Sequence, residues 1–530
     1  MTRERLGPIL QGLALLVLVL AVYAPTLRAG FVWDDEFIVT ANPLLHSWAG
    51  LRRIWLEVGA HRQYYPLSLS VHWLQFQLWG LDPMGYHASN VLAHGLAALL
   101  LWRVLAVLAV PGAWLAAALF ALHPVQVETV AWVTEFKNSL CGVFYFAAFL
   151  ALAPTLGVEP QGGTLEGSKA GTKGPGPSLW PRRVVGFLLF CMAVLAKTVA
   201  CTFPAAALLV IWWRRGRLVG RDVAWLAPFF VFGVGLGLLT AVMEAGGTVR
   251  ASGLIFDQGF PQRLLVAGRA VWFYAGKLLW PAGIVFQYPK WTVNVGTWWQ
   301  WLYPAGVLAV TLALWAARRR VGRGPLCGVL FFVGTLFPAL GFFDVYWMTY
   351  SWVQDHFQYL AMPGLAALAA AGLWKMLWLA KAAGLFGTTT PPANREGVSR
   401  LPVSGRIVAA ALAGVALLAL GLESWALTRN YADRPTLYRS IIARNPGSFM
   451  AHYNLGTELT AAGKVQEALP HLRRALEINP ANHKAPNAIV IGSGPVQARD
   501  LFREGVRLNL AAAVLITLFT LTLGRWVLPM

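Results

Sequence analysis

The sequence predicts an all-α polytopic membrane protein with one short polar helical segment towards its C-terminal end. Three observations carry this. Of 530 residues, 57% are apolar and 12% charged, against roughly 25% charged in ordinary soluble domains. Apolar runs of about 20 residues, long enough to cross a hydrocarbon core of about 30 Å, recur along the chain between short polar clusters, and about eleven or twelve crossings are expected. The apolar-polar alternation of a membrane barrel strand does not occur, so helices are the spanning elements.

The net charge of +20 fits this class rather than a nucleic-acid binder. Arg and Lys gather in short inter-helix clusters such as Arg214-Arg215-Gly216-Arg217 and Arg318-Arg319-Arg320, as the positive-inside rule requires. Membrane lipid is therefore the expected partner of the excess charge, and nucleic acid is not. Cys141, Cys191, Cys201 and Cys327 lie in apolar segments without metal-ligand spacing. They read as small buried hydrophobes, not as a disulfide framework or zinc site.

Taken in order, the first span covers roughly residues 9–25, with Arg3 and Arg5 holding the N-terminus in the cytoplasm. No small-residue cleavage site follows before Asp34, so this helix is expected to be retained. Residues 26–85 form a first periplasmic loop. Spans near 87–108, 112–133 and 137–153 return the linker 155–182 to the inside. A pair near 184–199 and 201–213 and a span at 222–243 follow. The segment 264–285 is read as re-entrant or interfacial, because a full crossing would put Arg318-Arg319-Arg320 outside. Spans near 298–316, 325–343, 356–380 and 405–425 come next, with the linker 381–404 inside, and a last apolar run, Leu508 to Leu528, spans or folds as a hairpin. Within the outer segment, Tyr453, Leu455, Gly456, Gly463, Ala468, Leu472, Ala475 and Pro480 fall at the offsets of one tetratricopeptide repeat. A single repeat cannot bury its own apolar face, so it needs the helix before Pro446 or a partner. The expected domains are residues 1–425, transmembrane; 426–482, the repeat segment; and 483–530, an atypical tail with a terminal apolar helix. Ile491-Gly492-Ser493-Gly494 resembles a dinucleotide-binding turn, but no strand-helix-strand unit has room to follow.

Several residues are candidates for chemistry. Asp34, Asp35 and Glu36 open the first outer loop. Like charges this close raise at least one pKa, and a carboxylate at a membrane mouth is placed to take a proton from a hydroxyl; a hydrated loop is the plain alternative. Glu128, Trp132 and Glu135 share one helical stripe by spacing, and a boundary acid needs a compensating cation such as Lys137. His123 reads as a satisfied helix-end histidine before a ligand. Lys197, within Leu195-Ala196-Lys197-Thr198, has no acid beside it and either snorkels or holds a phosphate; Lys277 is similar. Asp355 and His356 begin a span where a helix N-terminus attracts anions, or simply cap it.

These pieces, in this order, resemble a bacterial family of tetratricopeptide-repeat membrane proteins similar to the eukaryotic transmembrane and tetratricopeptide-repeat O-mannosyltransferases. The match rests on Phe31-Val32-Trp33-Asp34-Asp35, Tyr65-Pro66-Leu67, Tyr86-His87 with Asn90 and His94, His123-Pro124 with Glu128 and Ala131-Trp132, Leu195-Ala196-Lys197, Tyr288-Pro289, the run Asp355 to Ala361, and Asn445-Pro446 leading into the repeat. The resemblance implies the C-type glycosyltransferase fold: a polyprenyl-phosphate sugar is the donor, and a hydroxyl of a periplasmic protein or glycan is the acceptor. It gives Asp34 or Asp35 the role of general base. Lys197, Arg62, Arg269 and His356 are candidates for the lipid phosphate, with Asp355, Glu128, His123 and Glu135 around them. No cofactor is certain, a divalent metal being the one candidate. The implied location is the bacterial inner membrane, with the repeat periplasmic. Glu135-Phe136-Lys137 stands where relatives usually carry Glu-Arg-Lys. A non-catalytic scaffold recruiting partners through the repeat is the alternative; a transporter fits the helix count but lacks inverted halves.

Overall fold

The computed structural model describes residues 3–157, 179–244, 258–382 and 403–480. The Leu508–Leu528 run, the Gly492 turn and most of both linkers lie outside the described residues. The chain divides into two compact units between Asp433 and Arg434, and the described residues are helical apart from turns and loops.

In the first unit the helices are α1 (Arg3–Tyr23), α2 (Trp48–Leu56), α3 (Pro66–Trp79), α4 (Pro83–Val107), α5 (Ala113–Leu122), α6 (Val127–Ala131), α7 (Phe136–Leu152), α8 (Trp180–Ala196), α9 (Phe203–Arg215), α10 (Gly220–Met243), α11 (Phe260–Leu279), α12 (Leu302–Ala317), α13 (Gly324–Leu336), α14 (Met362–Ala382) and α15 (Val403–Thr428). Seven of them (α3, α4, α8, α9, α11, α13 and α14) carry proline in their first two positions, where its fixed φ is pre-organised and its missing N–H costs nothing. The core is the packing of α4 and α8 on α7.

Among the described residues seven helices are long and apolar enough to cross a membrane, or eight if the bent pair at Ala113–Leu122 and Pro124–Ala131 counts as one. The protein is thus a multi-pass membrane protein. The remaining expected crossings differ for physical reasons. Helices α8, α9 and α13 have 17, 13 and 13 residues, short of the roughly 20 a crossing needs. The segment read as re-entrant or interfacial is a 20-residue helix, α11, that carries Arg263, Arg269 and Lys277 and buries Leu265, Val266, Ala270 and Tyr274.

The expected span over 112–133 bends by 55° at His123-Pro124. Beyond it α6 lasts one turn, Trp132 is extended (φ −98°, ψ 118°) and a tight 3-10 turn, Val133–Glu135, leads into α7. Glu128, Trp132 and Glu135 therefore do not share one helical stripe. Two residues account for the break. Pro124 cannot continue α5, and the Asn90 amide donates to the carbonyls of Thr129, Val130 and Trp132 at 2.8, 3.0 and 3.3 Å, satisfying groups that the interrupted helix leaves bare.

In the second unit, α16 (Arg434–Arg444), α17 (Phe449–Ala461) and α18 (Val465–Ile478) pack in succession. Gly463, at φ +75°, makes the turn between the last two. Leu437 and Ile441 of α16, Leu455 of α17 and Leu472 of α18 are buried. Arg439 of α16 pairs with Glu467 of α18 at 2.8 Å. The helix before Pro446 thus supplies the apolar face that a lone repeat lacks.

Candidate functional site

The first loop enters the site on a strained residue. Trp33 holds φ +48°, uncommon for a residue with a Cβ and a mark of functional positions. Its ring packs on Phe286 and Trp347, with centroids at 5.0 and 5.6 Å. The two following aspartates then have opposite surroundings. Asp35 is fully buried and accepts from Val32 N at 2.8 Å, Thr134 N at 2.8 Å and Thr134 Oγ1 at 2.7 Å. It pins the loop to the turn before α7. The Asp34 side chain accepts no hydrogen bond among the described residues. Burial raises its carboxyl to about 6, against the pull of Lys137 and Arg62.

Beside Asp34 lies a buried ion cluster built from distant segments. Glu135 bridges two ammonium groups, Lys137 Nζ on Oε1 and Lys197 Nζ on Oε2, each at 2.9 Å. Asn138 donates to the same Oε2 at 2.7 Å. Lys197 reaches it because α8 stops one residue earlier and the chain turns extended there. Both lysine side chains keep 12% of their surface against 2% for Glu135, so what exposure the cluster has belongs to the lysines and not to the acid. Glu128 accepts from Gln354 Nε2 and His356 N, each at 3.0 Å. His356 stands between the acids: Nδ1 is 3.2 Å from Glu128 Oε1, without hydrogen-bond alignment, and Nε2 is 3.7 Å from Glu135 Oε1. Trp132 packs edge-on against His356 at 6.0 Å.

The fold thus gathers Asp34, Asp35, Arg62, Glu128, Glu135, Lys197 and His356. Arg62 lies over the Phe37 ring at 4.1 Å, on the Asp34 side. The other candidates have further partners of their own, Asp355 close to Glu128 among them. Asp355 accepts from Tyr288 Oη at 2.8 Å and Gln358 Nε2 at 3.3 Å. His123 accepts from Val125 N and bonds Leu278 O at 3.1 Å. Arg269 lies over Trp291 at 4.4 Å, and Lys277 donates to Ala282 O at 2.6 Å. Thr134, Asn138 and Gln354 carried no sequence signal as site residues, because their partners are brought in by the fold. Among the described residues no group of three or more His, Cys, Asp or Glu is placed to hold a metal ion.

Fold and site together define a polytopic helical membrane protein with a buried acid-lysine cluster at the foot of its first loop and a separate repeat unit towards its C-terminal end. The repeat matches the tetratricopeptide repeat family over residues 449–482. The chain is a relative of proteins named O-mannosyl-transferases. It is 26% identical to human protein O-mannosyl-transferase TMTC1 over 522 residues, 88% of this chain and 54% of the human protein. It is 31% identical to mouse protein O-mannosyl-transferase TMTC3 over 151 residues, 27% of this chain and 16% of the mouse protein. The chain therefore spans about half the length of the human relative, and less of the mouse one. Among solved structures, ArnT from Cupriavidus metallidurans bound to undecaprenyl phosphate is a loose likeness, with a TM-score of 0.36 at 15% identity over 87% of this chain and 80% of that one.

Proposed function

We propose that this chain is a C-type membrane glycosyltransferase of the bacterial inner membrane, moving a sugar from a polyprenyl-phosphate donor to a hydroxyl of a periplasmic protein or glycan. The observation that carries the reading is the juxtaposition of an acid free of hydrogen bonds, Asp34, with two lysines that share a single carboxylate, Glu135. The triad keeps one positive charge in excess, which suits a phosphate that gains charge as it leaves. Asp34 takes the proton of the acceptor hydroxyl, whose oxygen bonds to the anomeric carbon as the bond to the lipid phosphate breaks. Lys197 and Lys137 then stabilise the departing phosphate. Asp35, saturated by its three donors, is a positioning residue that holds the loop.

Transfer from a panel of polyprenyl-phosphate sugars in reconstituted membranes, with periplasmic extract as acceptor, tests this. Asp34→Asn is expected to lower the rate by about 100- to 10,000-fold, the usual worth of a general base, with unchanged expression. No transfer from any donor by the unchanged protein would move the reading to a scaffold.

A further inference from the structure

Away from the ion cluster, an apolar cavity of about 520 Å³ lies between α4, α7, α9, α13 and α14. That volume is typical of small-molecule sites. Leu105, Phe149, Val210 and Phe331 are among its walls, and among the described residues Lys375 is the one charged residue lining it. Among the described residues no carboxylate pairs with Lys375. The helix ends meeting near Lys375 are those with Trp213, Val321, Trp374 and Trp378 in the lining. They adjoin Arg214, Arg318, Arg319, Arg320 and Arg323 in the chain, while the neighbouring Arg215 is neutralised by Asp222 at 2.6 Å. Arg214 Nη1 donates to Leu108 O at 3.4 Å, which brings this cationic rim to the foot of α4.

We propose that this cavity binds an acyl chain of an anionic glycerophospholipid, with the headgroup phosphate on Lys375 and the neighbouring arginines. Water gains little in an apolar cavity, whereas a lipid chain fills it with dispersion contacts. The tryptophans sit where interfacial aromatic side chains anchor to headgroups, and the basic rim selects the anionic class. The cavity is separate from the phosphate-holding lysines of the proposed reaction. Phe146, the nearest α7 residue of its lining, follows Lys137 on that helix by nine residues, about 14 Å at 1.5 Å per residue. The inference does not rest on the glycosyltransferase reading.

Gly372 offers the test. It lines the cavity, and a Cβ built on it meets nothing within 4 Å. Gly372→Leu therefore adds bulk at the cavity wall with its Cβ clear of neighbouring atoms, while improving helix propensity. Phosphatidylglycerol and phosphatidylcholine are titrated separately onto the full-length protein in detergent and read by native mass spectrometry. The unchanged protein is expected to retain phosphatidylglycerol preferentially and Gly372→Leu to lose it. Lys375→Gln should weaken phosphatidylglycerol alone by about fivefold, the worth of one basic side chain at an anionic surface. Equal retention of both lipids by the unchanged protein, or undiminished phosphatidylglycerol on Gly372→Leu, overturns the proposal. So does displacement of phosphatidylglycerol by polyprenyl phosphate, since Pro363 and Gly364 at the other end of the lining follow the His356 segment; the cavity would then belong to the donor chain.

Discussion

Asp34 and Asp35 are adjacent and alike in sequence, and what separates them lies 99 residues away in Thr134, which takes both available donors to Asp35 and none to Asp34. The first prediction follows from the sign of the Asp34 shift. A base works ionised, and burial holds this carboxyl at about 6. Transfer should therefore be flat above pH 7 and fall towards tenfold per unit below 6; a pH-rate profile of kcat/KM checks it, and the residual activity of Asp34→Asn should lack that limb. Asp35→Ala should act on stability instead. It orphans two buried backbone donors, each costing about 1–3 kcal/mol, so a lower thermal midpoint is expected from a melting curve in detergent. Lys197→Met leaves Glu135 its bond to Lys137. It should raise the KM for the lipid donor by about 10- to 100-fold, as loss of a charge-assisted contact does, without moving the pH limb.

At the scale of elements, apolar runs and basic clusters made the long helices legible, since a lipid-facing helix needs little beyond length and hydrophobicity. The break after α5 was not legible. Spacing alone puts Glu128, Trp132 and Glu135 on one face, but the chain extends at Trp132 because Asn90 of α4 caps three carbonyls there. A capping amide from another helix leaves no local mark. Lys197 was visible as a lysine without a sequence neighbour of opposite charge, yet its partner Glu135 is 62 residues away. Asn90→Ala is thus expected to disturb the site through the turn. Ser139 Oγ, which donates to Asn90 Oδ1 at 2.6 Å, loses its acceptor as well. The loss of these buried bonds should cost about 1–3 kcal/mol and reduce protection of the Thr129 to Trp132 amides in hydrogen exchange. Unchanged protection there would mean that Pro124 alone sets the break.

For the molecule as a whole, the charge and hydropathy of the sequence point to a membrane bundle, while the repeat at residues 449–482 lies in a second compact unit with buried residues of its own. That contrast makes the two separable by mutation. Gly456 on α17 is packed tightly against α18: a Cβ there would lie 2.6 Å from Leu472 Cγ and 3.3 Å from Ala468 O. Gly456→Val must displace the Leu472 side chain or α18 itself, an overpacking that typically costs about 1–3 kcal/mol, and a short repeat unit has few contacts to absorb the shift. If the repeat docks the acceptor, the variant should raise the KM for a folded protein acceptor while leaving kcat and the KM for a lipid-linked donor unchanged. A short soluble hydroxyl acceptor, which needs no docking, should be used equally well by both forms. Comparing the two acceptors in the same reconstituted preparation separates the cases. A parallel loss on both would place the repeat's contribution in the integrity of the enzyme, and no loss on either would remove acceptor docking from its role.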